Sequence, residues 1–132
     1  MRDIFKHFTV KGVEYPFAFN INVVEDLDAE YRTEKNGVKT DGITEWGRLV
    51  EPQEGLPSLS ALKFMFTLAI NEGIEMENEE RNEDRKPLTL KQVGRVISGM
   101  GDAVLAFAKD TITESTDDGT EKNVQTRQNQ DG

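Results

Sequence analysis

Residues 61–75 read ALKFMFTLAINEGIE, the longest apolar run in the chain, and their spacing decides the fold class. Leu62, Met65, Phe66, Ala69 and Ile70 recur at intervals of three and four, which places them on one face of an α-helix. Ser58 stands ahead of the run with a hydroxyl able to accept from an unpaired backbone N–H, so it is the expected N-cap. Gly73 is the expected close, because a residue without Cβ readily takes the left-handed conformation after a last turn; Ile74 behind it supplies the usual apolar contact. Burying each such side chain is worth roughly 1.5–3 kcal/mol, so this face is the expected nucleus of the core. Phe64 and Leu68 lie outside it, beside a narrow polar stripe of Ser60, Lys63, Thr67 and Asn71. Two readings stay open for that pair: another element of the chain covers it, or a partner does.

On the N-terminal side, Phe8 and Val10, then Val13, Tyr15, Phe17 and Phe19, alternate at period two around Lys11-Gly12, the pattern of a β-hairpin with a two-residue turn. Pro16 cannot donate to a ladder, so its strand is expected at an edge or to end there. A lone hairpin is marginal in water, so its aromatic face, Phe17 and Phe19 included, is expected to lie on the helices or to meet a second subunit. Asn22 and Glu25 resemble a capping box that opens a helix through Val23, Val24, Leu27 and Tyr31. Residues 33–42 are polar with two glycines and read as a loop. Ile43, Trp46, Leu49 and Val50 suggest a short helix stopped at Glu51-Pro52, with Trp46 as a core plug.

On the C-terminal side, residues 71–86 hold seven acids against three bases and read as a solvated acidic loop. Thr89 and Gln92 form a second capping box, with Leu88 and Val93 as a hydrophobic staple. The helix that follows carries Leu90, Val93, Val96, Ile97, Met100, Val104, Phe107 and Ala108 on one side. Gly94 and Gly101 at the edge of that stripe are expected to allow tight packing on the central helix. The expected fold is therefore mainly α within the α+β class. An N-terminal β-hairpin and about four helices packed as a small bundle fill residues 1–109, and a disordered acidic tail occupies residues 110–132.

Composition narrows the function. A net charge of −9 in 132 residues argues against a nucleic-acid partner, whose phosphates require Lys and Arg, and against an anionic membrane surface. The chain has no cysteine, which excludes disulfides and thiolate chemistry, and no signal peptide or membrane span is recognisable; a cytoplasmic location is expected. His7 is the only histidine, so neither a His-based metal set nor a catalytic triad assembles within one chain. It is expected to face outward from the first strand. Residues 75–79 alternate oxygen ligands as a calcium loop does, but lack the glycine and distal Glu spacing of an EF-hand. No phosphate-cradling glycine motif follows a strand. No catalytic, cofactor or metal residue is assigned, and the chain is not expected to be an enzyme. The candidate partner-binding residues are Phe64, Leu68, Phe17 and Phe19, and apolar hairpin edges make a homo-oligomer plausible.

The order YPFAFNIN (15–22), EWG (45–47), ALKFMFTLAINEGIEMENEE (61–80) and LTLKQVGRVIS (88–98), ahead of a Thr/Ser-rich acidic tail, resembles the tail assembly chaperones of siphophages and prophages of Gram-positive bacteria. The likeness is a whole-chain pattern over residues 15 to about 115 and includes no catalytic motif; residues 33–42 depart from it. It implies a non-catalytic protein that coats the long tape-measure protein in the host cytoplasm. The coat keeps that client soluble until tail-tube subunits displace it, and it is absent from the mature virion. It also implies a longer frameshifted form, for which an acidic tail would serve as linker. The alternative from another class is a structural head–tail completion or minor tail protein retained in the virion. A DNA-mimicking acidic regulator is a third reading, weakened by the placement of the acids in segments expected to be flexible.

Overall fold

A computed structural model of the chain describes residues 1–116. Strands β1 (Ile4–Val10) and β2 (Val13–Phe19) pair antiparallel, from Ile4↔Phe19 to Val10↔Val13. The turn residues Lys11 and Gly12 have φ of 51° and 80°, the primed turn whose twist matches that of its strands. Alternate pairing counted from Val10↔Val13 puts His7↔Pro16 at a non-hydrogen-bonded position, so Pro16 deprives the ladder of no donor.

Helix α1 (Ile21–Tyr31) is capped by Asn20, whose side chain accepts from the Val23 N–H at 3.4 Å. The N-cap thus stands two residues ahead of the capping box expected at Asn22, and with Val23 as its third helical residue it closes no such box. Asn22 instead joins Asn20 in donating to the Glu72 carboxylate, at 3.0 and 2.8 Å. Residues 33–42 are not a featureless loop, since β3 (Thr33–Lys35) and β4 (Val38–Thr40) form a second hairpin. Its turn is Asn36-Gly37, with φ of 53° and 79°, an Asn-Gly signal that outweighs the polarity of the segment. Helix α2 (Gly42–Val50) carries Trp46 into the core, where the indole N–H donates to the Ala61 carbonyl at 3.1 Å.

Helix α3 (Leu59–Arg81) begins at the expected Ser58 cap but does not end at Gly73. It runs two more turns to Asn82, the left-handed cap at φ 55°, so much of the expected acidic loop is helix. Gly73 serves the interior. A Cβ there would lie 2.9 Å from Pro16 Cβ, 3.0 Å from Pro16 C and 3.1 Å from Phe17 N: strand β2 crosses the helix at backbone contact.

Helix α4 (Leu90–Met100) has the expected Thr89–Gln92 capping box and runs antiparallel to α3, with Leu88 bonded to Asn71 and Gly94 facing Lys63. The long helix expected beyond it is broken, because Gly101 at φ 61°, ψ −134° leaves the helical region. The chain restarts as α5 (Ala103–Thr116). That break corrects the role expected for Gly101 and redirects Phe107 into a cluster with Phe8, Phe17 and Phe66, whose ring centroids lie 4.8–6.4 Å apart. Residues 110–116, assigned to the tail by composition, continue α5 and bury Thr111 and Ser115. The remaining tail, 117–132, lies outside the described residues. Among the described residues no helix is long and apolar enough to cross a membrane.

Gly73→Ala tests the crossing. In an ordinary helix interior this change stabilises by about 0.8–1 kcal/mol; here the added Cβ must push β2 aside, and the expected result is a loss of about 1–3 kcal/mol in urea unfolding. A gain in stability would remove the close approach.

Candidate partner-binding surface

The structure separates the four candidate residues into two pairs. Phe17 is 0 % and Phe19 3 % exposed, Phe17 inside the aromatic cluster and Phe19 against Trp46. Both belong to the core and present no surface to a partner in this fold, which corrects their assignment. The signal against them is that a two-stranded hairpin is marginal alone, and of the two ways to bury its aromatic face the structure shows the one inside the chain, on the helices. Phe64 and Leu68 are half-buried. Tyr31 at the end of α1 stands edge-on to Phe64, centroids 5.9 Å apart, so an element of the same chain partly covers the pair. Leu68 opens into a cavity of about 400 Å³ with Asp26, Glu72, Glu75 and Arg85 at its margin.

On the other flank of α3 a groove of about 440 Å³ runs between that helix and the α4–α5 break, lined by Leu59, Lys63, Ile97 and Val104. Leu59 is 72 % exposed, a large apolar side chain at the first helical position where no preceding turn covers it. Grooves of this kind between helices accept the apolar face of an amphipathic helix. Sequence reasoning passed over Leu59 because it lies in the lead-in to the helix rather than in the periodic run.

The most constrained polar group is Glu77, 4 % exposed. Extending the apolar stripe of α3 past Ile70 by three, four and seven residues gives Gly73, Ile74 and Glu77, so its burial follows once the helix is known not to stop at Gly73. His7 on β1 donates from Nε2 to the carboxylate at 2.6 Å, since an ionised carboxylate can only accept. Arg85 donates at 2.5 Å and Arg81 at 3.4 Å. His7 lies on the exposed side of β1, as expected, but its ring nitrogen reaches α3. The cluster ties β1, α3 and the segment after Asn82 to one another. Burial raises the Glu77 pKa, but the bonds from His7 and Arg85 and the charge of Arg81 outweigh it and hold the group below the ordinary glutamate value. Among the described residues no group of three or more His, Cys, Asp or Glu side chains is placed to hold a metal.

Comparison with protein-family models, curated proteins and solved structures finds no match to this chain.

The Glu77 cluster sets the acid limb of stability. A carboxylate whose folded pKa is depressed contributes stability that is full above its unfolded value, about 4.3, and is lost as pH falls through the lower folded value. Asp28, held low chiefly by Arg32, and Asp41, by Thr44, contribute to the same limb, so the difference between variant and wild type is the informative quantity. Glu77→Gln is expected to cost about 1–3 kcal/mol near neutrality, with the difference shrinking toward zero below the folded pKa. Parallel stability curves down to strong acid would show that the charge of Glu77 plays no part.

Proposed function

We propose that this chain is a non-catalytic tail assembly chaperone that binds a phage tape-measure protein in the host cytoplasm and hands it to tail-tube subunits. The residue order of four segments between residues 15 and 98 carries the reading. The surface of α3 suits it. A long helical client needs shallow apolar grooves that engage without permanent burial, and Leu59, Ile97 and Val104 on one flank with Phe64 and Leu68 on the other offer modest, displaceable contacts. The formal charge of −9 favours solubility of a complex in which many copies crowd one client. On this reading the chain does not stay in the mature particle.

Co-expression with the tape-measure protein of the same phage is the test. The wild-type chain is expected to move that client from the pellet to the soluble fraction. Phe64→Ser weakens solubilisation but also loses the Tyr31 contact, so Leu59→Ser is the cleaner variant: its melting temperature stays at the wild-type value while client solubility falls severalfold. A client that aggregates equally with and without the chain, or abundant peptides of the chain in purified virions, would replace the chaperone reading with that of a retained structural protein.

A further inference from the structure

Asn36 is the one asparagine of the chain that is followed by glycine. A side-chain amide one residue ahead of a backbone nitrogen can close a five-membered ring with it, and glycine, having no Cβ, leaves that nitrogen open to approach. Asn36 and Gly37 are the central residues of the β3–β4 turn, and both are exposed. A Cβ on Gly37 would meet nothing within 4 Å, so no neighbour stops the peptide between them from turning. Each strand is three residues long, and only Thr33 and Thr40 are partly covered. A two-stranded hairpin of this size is marginal in water and belongs to the part of the fold that opens at least cost.

A second pair able to close the same ring, Asp41-Gly42, follows shortly after, and there the fold prevents it. The Gly42 N–H donates to Asp28 Oδ1 at 2.7 Å, and the Asp41 carboxylate accepts from the Thr44 N–H at 2.8 Å. A Cβ on Gly42 would lie 1.9 Å from the Asp28 carbonyl oxygen, so the backbone of α1 holds this peptide in place. The nitrogen is engaged, the carboxylate caps α2, and the peptide cannot turn. Asn20, Asn22, Asn71 and Asn78 are likewise tied by hydrogen bonds, and each precedes a residue with a side chain.

We propose that Asn36 is a self-modification site, at which deamidation unpairs the β3–β4 hairpin. The Gly37 nitrogen gives up its proton and attacks Cγ of Asn36. The N–Cγ bond forms, the Cγ–Nδ2 bond breaks, and ammonia leaves with that proton. Water then opens the resulting succinimide at either carbonyl. One product is an aspartyl residue in ordinary linkage; the other is iso-aspartyl, with the side-chain carbon taken into the main chain. Both add a negative charge. The iso-aspartyl form also lengthens the backbone between Lys35 and Val38, and a two-residue turn, whose twist must match that of its strands, does not accept the extra carbon. The core stays in place, since its buried cluster includes no residue of this hairpin.

Incubation of the full chain at mildly alkaline pH, followed by cleavage after arginine, tests the site. Residues 33–48 then form one peptide that carries both Asn36 and Asp41-Gly42. Mass spectrometry is expected to find acid in place of amide at Asn36 before any other asparagine among residues 1–116 converts, with the iso-aspartyl form in excess and none at Asp41. Conversion in the folded chain is expected to run within about tenfold of its rate in the urea-unfolded chain, because the hairpin opens at little cost. Asn36→Asp, measured fresh, supplies the charge without the added carbon. It is expected to keep the cross-strand nuclear Overhauser contacts between β3 and β4, whereas the iso-aspartyl chain loses them, and both keep the wild-type melting temperature. An Asn36 that stays an amide, or that converts more than about tenfold slower folded than unfolded, would overturn the inference. So would conversion led by another asparagine, iso-aspartate arising as fast at Asp41, or an iso-aspartyl chain that keeps its cross-strand contacts.

Discussion

The crossing of strand β2 over Gly73 is the contact on which the remaining geometry depends. Pro16 Cβ, Pro16 C and Phe17 N lie 2.9, 3.0 and 3.1 Å from the place a Cβ on Gly73 would take, so at this point strand β2 leaves the helix no room for a side chain. At that separation Phe17 reaches Phe66 one side of the crossing, and Phe8 and Phe107 close the cluster around them. A two-stranded hairpin has little stability of its own, and here it gains a position only because α3 offers a notch. The break at Gly101 belongs to the same solution, since a straight continuation of α4 would not direct Phe107 to the hairpin.

Farther along α3 the same contact creates an electrostatic problem that the fold resolves locally. Once β1 is held over the helix, the position seven residues after Ile70 is covered, and it is occupied by Glu77. A buried carboxylate without partners is costly; His7, Arg81 and Arg85 satisfy this one from three directions. Exposed ion pairs such as Lys6–Glu114 contribute far less, because water already solvates both ends.

Helix α3 thus has three kinds of surface. Its buried stripe is the core, its last turns carry charge, and its two flanks keep apolar side chains only partly covered. The flanks are where a chaperone of the proposed kind would meet a helical client, because half-covered leucine and phenylalanine give contacts strong enough to hold and weak enough to release.

The elements whose signals are local were already written in the chain. Alternating aromatics around Lys11-Gly12, the Ser58 cap, the Thr89–Gln92 capping box and the placement of Trp46 in the core depend on neighbours a few residues away, and spacing alone determines them. Phe64 and Leu68 are likewise marked as an off-stripe pair by the period of α3. What only the tertiary structure decides is the meaning of residues whose reason lies in a distant segment. Gly73 has the composition of a helix stop, but the approach of Pro16 makes it an interior notch, and with that change Glu77 passes from a solvated loop to a buried face. Gly101 has the spacing of a packing glycine, yet its backbone leaves the helical region and makes it the break. Phe17 and Phe19 move from candidate surface to core because the hairpin lies on the helices, and residues 110–116 become helix because Thr111 and Ser115 find the inner side of α5. Local periodicity fixes which side chains share a face; only the fold decides what that face is pressed against.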